Sequence, residues 1–264
     1  MTELNNNGTN CNYPNMERLI DIIRILRSEN GCQWDKEQTH CSLKKNMLEE
    51  AYEAVDAIDD NDSKHLKEEL GDVLLQVILH SQIASDEKEF NIEDVAKGIA
   101  DKLVRRHPHV FSDVKVDGTD EIIHNWEEIK QKEKPHRTSV MDGVSKAQSA
   151  LMSAQKISKK AVNVGFEWPN VRSLWDCIES EVEEFKEAAQ SCDMQDAEEE
   201  LGDLLFAIVN LARWYKIDAE QALLKANKKF ISRFKKMEEL TDKNLEDLTL
   251  QEYDKLWKKA KELE

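Results

Sequence analysis

The sequence predicts an all-α protein built as a tandem repeat, and three observations predict it. Eight glycines and four prolines in 264 residues fall well short of the roughly 12% that average usage gives, which removes collagen-like, proline-rich and turn-dense all-β folds. Apolar residues recur at helical spacing almost throughout, and strand-type alternation is scarce. A set of acids with its flanking residues then appears a second time in the second half of the chain, the mark of an internal repeat.

The elements follow in order. The polar start, MTELNNNGTNCNYPN, reads as a disordered tail over residues 1–15. From Met16 to Arg27 the residues Leu19, Ile20, Ile23 and Leu26 form one stripe. After Ser42 a helix is expected with Leu43, Met47, Ala51, Tyr52 and Val55 inward, and after Ser63 another with Leu66, Leu70, Val73 and Val77 inward. Asn91 is placed to cap a third helix, which ends at Arg105, Arg106 and His107 before Pro108, cations at a C-terminus followed by a breaker. Ile122, Ile123, Trp126 and Ile129 mark a further helix. A first domain is therefore expected over 16–133, a linker containing Pro135 and Gly143 over 134–149, and a second domain over 150–264.

Composition narrows the function. A net charge of −17 argues against a nucleic-acid polymer or an anionic membrane as partner and favours cations. Five cysteines without a CxxC pair suggest neither a disulfide framework nor a zinc site, and point to a reducing cytoplasm. The N-terminus has no signal-peptide pattern, and no run approaches the ~20 apolar residues of a membrane span. No GxxxxGK[ST] or GxGxxG occurs, so P-loop and Rossmann nucleotide binding are excluded.

The repeat carries the chemistry. Glu50, Glu53, Glu69 and Asp72 return as Glu181, Glu184, Glu200 and Asp203, each 131 positions later. Trp126 and Lys130 return at the same offset as Trp257 and Lys261. Lys102 and Arg106 return as Lys229 and Arg233, and Asn91 matches Asp218 as an N-cap. In a chain with 54 acids, one such motif would be weak evidence; two copies in the same order, with the same flanking Gly, Lys, Arg and Trp, are not coincidence. On a helix, residues i and i+3 share a face, so each ExxE or ExxD projects two carboxylates together. Glu69 falls between Leu66 and Val73, and Glu200 between Ala197 and Leu204, on the apolar stripe. Carboxylates turned inward need a partner, and four of them on two helices joined by a short loop form an oxygen-only cage suited to a hard divalent ion such as Mg²⁺. The KxxxR and WxxxK patterns supply cations and an aromatic plane, the parts of a phosphate-and-base binder, although a helix-end cation pair is more often a surface feature and a Trp more often core. Gly71 and Gly202, inside helices, suggest close approach of another backbone or a ligand.

Two rivals stand beside this reading. A di-iron carboxylate bundle uses ExxH strings, and Glu37/His40 and Glu121/His124 fit one; the second copy of the repeat, over 150–264, however, has no histidine. A non-catalytic helical dimerisation or regulatory module is the alternative from another class.

The strings GCQWD (31–35), LEEAYEAVDAI (48–58), EELGDVLLQV (68–77), KLVRRHPHVF (102–111), AQKI (154–157), NVGFEW (163–168), EEELGDLLFAIVNLAR (198–213) and KANKKFISRF (225–234) closely resemble MazG-type nucleoside triphosphate pyrophosphohydrolases, from about residue 16 onward. The resemblance implies two tandem all-α domains that complete their cores by dimerisation. It implies hydrolysis of nucleoside triphosphates to the monophosphate and pyrophosphate with Mg²⁺, Mn²⁺ substituting, in nucleotide-pool cleansing. The family's metal motif falls on Glu49, Glu50, Glu53, Glu69 and Asp72, then on Ser180, Glu181, Glu184, Glu200 and Asp203 with Glu199 adjacent. Ser180 departs from the pattern, which has Glu there. Substrate contacts fall on Lys229, Arg233, Trp257 and Lys261, with Lys102, Arg106, Trp126 and Lys130 as first-half counterparts. Glu49, and Glu199 in the second half, are the spare acids for accepting the proton of the attacking water.

Overall fold

A computed structural model describes residues 13–133, 138–191 and 194–263. Among them there are twelve α-helices and no strand, as the periodicity requires. The chain divides into two compact units at Pro135 and His136.

In the first unit, α1 (Pro14–Arg27) begins two residues earlier than expected, inside the stretch assigned to the tail, because Pro14 sits in its first turn, where a missing N–H costs nothing. The rest of the expected tail, residues 1–12, lies outside the described residues. After the short α2 (Gln33–Glu37), α3 (Lys44–Asp59) and α4 (Ser63–Asp86) form an antiparallel hairpin. Its turn uses Asn61 at φ 54° and Asp62 as N-cap, whose carboxylate accepts from the Lys64 and His65 amides. The expected cap at Asn91 is present as a reciprocal capping box with Asp94 at the start of α5 (Ile92–Arg106). α6 (Pro108–Phe111) and α7 (Thr119–Lys132) complete the unit. Ile23, Leu43, Ile78, Leu79 and Ile83 form its core between α1 and α4.

The second unit repeats this plan with α8 (Ala150–Val162), α9 (Val171–Ser191), α10 (Met194–Trp214), α11 (Ala219–Glu239), a single 3-10 turn and α12 (Leu250–Glu262). The long pair is now α9 and α10, with α8 against α10. Asp218 caps α11 through the Gln221 amide at 2.9 Å, so the matched caps hold in both units. Leu174 and Val209 are completely enclosed. Two motif glycines close the first helix of each unit differently. At Gly31 a Cβ would stand 2.2 Å from the Leu26 carbonyl oxygen, whereas Gly165 has φ +90° and open space around it.

Three expectations need correction. Met47, Tyr52 and Leu70, read as inward, are 39%, 60% and 53% exposed, and Ala51 is exposed as well, because a two-helix hairpin covers only its facing stripe, here closed by Ala54 and Ala57. Ile123 on α7 is likewise exposed. Gly71 and Gly202 meet no close neighbour, since a Cβ at either would find nothing within 4 Å; each lies on the open face of its hairpin beside exposed Leu70 or Leu201.

Candidate active site

Each hairpin gathers its acids. In the first unit, carboxylate oxygens of Glu50, on α3, and of Glu69 and Asp72, on α4, lie within 4.8 Å of one another. In the second, Glu181 and Glu184, on α9, meet Glu200, on α10, within the same distance. Three of the four acids expected together meet in each unit: Glu53 stands outside the first cluster, near enough to raise Glu50, and Asp203 outside the second, near enough to raise Glu200. Desolvation, then the charges of Asp72, Glu53 and Glu69, push the Glu50 carboxyl upward. Desolvation and the Glu69 charge do the same to Glu53, and desolvation followed by Glu184, Asp196 and Asp203 raises Glu200. Mutual repulsion of this kind is what a cation relieves.

Glu69 supplies a second sign. It is buried, its Oε1 lies 3.0 Å from His65 Nε2, and its Oε2 has no hydrogen-bond partner. A buried carboxylate oxygen left unpaired is costly; beside two more carboxylates, the oxygen-only donor set fits a hard divalent ion. In the second unit Ser180, the departure from the acidic pattern, donates its hydroxyl to Glu184 Oε1 at 2.6 Å, so it holds a cluster carboxylate. Glu49 and Glu199, the spare acids, are both exposed.

The cations and tryptophans assemble separately, on α5 with α7 and on α11 with α12. Arg106 is buried, donates from Nε to Glu133 at 3.0 Å and lies 5.3 Å over the Trp126 ring. The Arg106 hydrogen bond, helped by Arg105, holds the Glu133 carboxyl below its usual range. His107 packs edge-on against the same Trp126, ring centroids 4.8 Å apart. Arg233 repeats the arrangement at 5.8 Å from Trp257, with Phe230 at 5.2 Å. WxxxK thus does not pair the tryptophan with its own lysine: Lys130 bonds Glu127 at 2.9 Å, and the cation on each Trp comes from the neighbouring helix. Lys102 is half-buried; Lys229 and Lys261 are exposed. The ExxH strings do not form a shared site either, for His40 pairs with His80, Nδ1 to Nδ1 at 2.7 Å.

Sequence reasoning missed a cavity. In the second unit a space of about 600 Å³ opens between α8, the 163–170 loop, α9 and α10, and both Glu181 and Asp203 line it. Ile157, Ala161, Trp168 and Ala207 make its walls apolar. A polar chain borders it: Glu167 accepts both terminal nitrogens of Arg213 at 2.7 Å, Arg213 Nε donates to Ser158 Oγ at 2.6 Å, and Ser158 bonds Asn210. Arg213 accordingly holds the Glu167 carboxyl low. The only sequence signal was that Ser158, Asn210 and Arg213 interrupt otherwise apolar helical faces.

Comparison with known proteins assigns the repeat. The model of the MazG nucleotide pyrophosphohydrolase domain matches residues 38–111 and again 170–238. Both matches contain the acid clusters and the KxxxR pairs, while both WxxxK pairs lie beyond them. The Thermotoga maritima nucleoside triphosphate pyrophosphohydrolase/pyrophosphatase MazG is 47% identical over 93% of this chain and 95% of its own. The Escherichia coli K12 nucleoside triphosphate pyrophosphohydrolase is 42% identical over 94% and 98%. Bacillus subtilis YabN, an uncharacterized protein, is 49% identical over 96% of this chain but 53% of its own. With two copies of that domain and such relatives, the chain belongs to the MazG nucleotide pyrophosphohydrolase family.

Proposed function

We propose that the protein hydrolyses nucleoside triphosphates to nucleoside monophosphates and pyrophosphate with a divalent metal, Mg²⁺ or in its place Mn²⁺, and that the second unit does the work. The observation that carries this reading is the acid cluster standing at the edge of an apolar cavity of about 600 Å³ in that unit, room enough for a nucleoside. Glu181, Glu184, Glu200 and Asp203 would hold the metal there; Glu50, Glu53, Glu69 and Asp72 would do so in the first unit. A bound divalent ion supplies charge neutralisation at the phosphates and lowers the pKa of a bound water.

The chain's own residues do the rest. Exposed Glu199 accepts the proton of the attacking water, as Glu49 would in the first unit. Lys229, Arg233 and Lys261 neutralise phosphate oxygens, with Lys102, Arg106 and Lys130 as their first-unit counterparts. Trp168 in the cavity wall, and Trp257 beside Arg233, offer ring faces to a base. Apolar walls tolerate every base, so the range of substrates is broad and suits cleansing of a nucleotide pool in the cytoplasm. No helix among the described residues is long and apolar enough to cross a membrane.

The active form is a homodimer. Met47, Leu48, Tyr52, Ile58 and Leu70 on one hairpin, and Leu201, Leu205 and Ile208 on the other, leave apolar faces exposed of the kind a second copy covers. The alternative, a non-catalytic helical module, has no use for carboxylates gathered against their own repulsion.

The test is product analysis of a nucleoside triphosphate panel with and without Mg²⁺ for the wild type, Glu50→Ala and Glu181→Ala. Metal-dependent pyrophosphate release that is lost in Glu181→Ala supports the reading. Orthophosphate release, or no release at all, sinks it.

A further inference from the structure

Asn210 sits at an unusual position. Its first-unit counterpart 131 residues earlier, Leu79, is buried in the core, whereas Asn210 lines the second unit's cavity together with Asp203. The two are seven residues apart on α10, about 10.5 Å along the axis. A nucleotide with its phosphates at the acids therefore brings its base to Asn210.

The polar chain behind Asn210 determines which of its atoms the base meets. Arg213 can only donate; Ser158 Oγ accepts from Arg213 Nε and donates its hydrogen to Asn210 Oδ1. That fixes the amide with its nitrogen on the other side, where Nδ2 donates to the Phe206 carbonyl at 3.0 Å. The carboxamide nitrogen carries two hydrogens, and one is left. The Glu167–Arg213 pair, both oxygens on both terminal nitrogens, anchors the whole sequence, and Ser158 is 3% exposed, which keeps competing water out.

We infer that Asn210 offers this remaining N–H to the nucleobase and makes the second unit favour bases with a ring carbonyl, the 6-keto purines and 4-keto pyrimidines, over their amino counterparts. The inference rests on the pyrophosphohydrolase reading and deepens it. A carbonyl oxygen accepts from Asn210; the exocyclic amine of adenine or cytosine sets a donor against a donor. A site built to hydrogen-bond one group rejects the analogue that leaves its polar atom unpaired. The apolar walls still admit both classes, so the preference is graded, about tenfold in kcat/KM.

The experiment compares kcat/KM, by pyrophosphate release with Mg²⁺, for inosine against adenosine triphosphate and uridine against cytidine triphosphate. Each pair differs in the keto or amino group and keeps ring size. The full-length Glu50→Ala protein serves as background, so that only the second unit is read. Keto-to-amino ratios near ten in both pairs, falling to about one in Asn210→Leu and dropping below one in Asn210→Asp, support the assignment. Ser158→Ala, which removes one of the two bonds holding the amide and leaves the one to Phe206, is expected to lower the preference without abolishing it. Thermal melting checks folding, and the near-isosteric Asn210→Asp carries the test if Asn210→Leu does not fold. Pyrophosphate release with ratios of about one, or ratios unmoved by either Asn210 variant, overturns the role of Asn210 and leaves the pyrophosphohydrolase reading standing. No pyrophosphate from any nucleotide overturns that reading, and the Asn210 assignment with it.

Discussion

The α3–α4 and α9–α10 hairpins carry the same four acids at the same spacing in different surroundings. In the first, Glu69 is buried with His65 on one oxygen and nothing on the other. In the second, Glu200 is half-buried, and the position matching His65 holds Asp196, whose charge pushes Glu200 further upward. One turn beyond the acids, buried Gln76 corresponds to Ala207, and one turn further core Leu79 corresponds to Asn210. Leu79 belongs to the core of the first unit with Ile78 and Ile83, whereas Ala207 and Asn210 line the cavity of the second. Repetition preserved the acids, whereas the space beside them depends on the residues one and two turns further along α4 and α10.

The sharpest way to break this contrast is to disable the clusters one at a time. Glu181→Ala is expected to cut Mg²⁺-dependent pyrophosphate release at least about 100-fold, and Glu50→Ala less than about threefold. Equal losses would mean that the first cluster also turns over substrate.

Metal binding distinguishes the clusters without turnover. Saturating Mg²⁺, at roughly 100 times its dissociation constant, stabilises a fold that binds it by about 2.7 kcal/mol, visible as a rise of several degrees in melting temperature. The rise is expected to shrink in Glu50→Gln and in Glu181→Gln, and to vanish in the double variant. An undiminished rise in the double variant would place the ion elsewhere.

The two units also fasten their first helix differently. Arg27, on α1, reaches Asp86 at the end of α4 at 2.8 Å, while Arg213, on α10, reaches back to Glu167 beyond α8. Both guanidinium side chains are largely buried while Asp86 and Glu167 keep contact with water, so replacing either arginine by Met is expected to cost about 1 kcal/mol in denaturant melts. Arg213→Met should in addition erase the keto preference; Arg27→Met should not.

The smallest effect lies at α12. Glu252, bonded by Lys243 and by Thr249 in a capping box, has its carboxyl lowered to about 2 from an ordinary 4.5. A depressed folded-state pKa gives stability that is present above pH 4.5 and lost as the pH falls toward 2. Glu252→Gln should therefore melt slightly lower than wild type at pH 7, and the two should converge near pH 2; a constant gap would assign the effect to packing.

Much of this was legible in the sequence because it depends on spacing along single helices. The caps at Asn91 and Asp218 need only an Asx residue before an apolar run, and ExxE and ExxD need only helical geometry. What was not legible depends on which helix lies opposite. Met47, Tyr52 and Leu70 have helical periodicity but no neighbour to cover them, and Trp126 has Lys130 one turn away yet stacks with Arg106 from another helix. The cavity was hidden for the same reason, since it exists where Ser158, Ala161 and Ala207 face one another across two helices.

Gly31 and Gly165, each three residues before a tryptophan, Trp34 and Trp168, would age differently under mutation. At position 165 the constraint is the left-handed backbone, which asparagine also adopts, so Gly165→Asn keeps a functional unit. At position 31 the constraint is the Leu26 carbonyl oxygen, 2.2 Å from where any Cβ would be. No side chain answers that, and the first unit is the one in which a single methyl group added before its tryptophan forces the end of a helix to move.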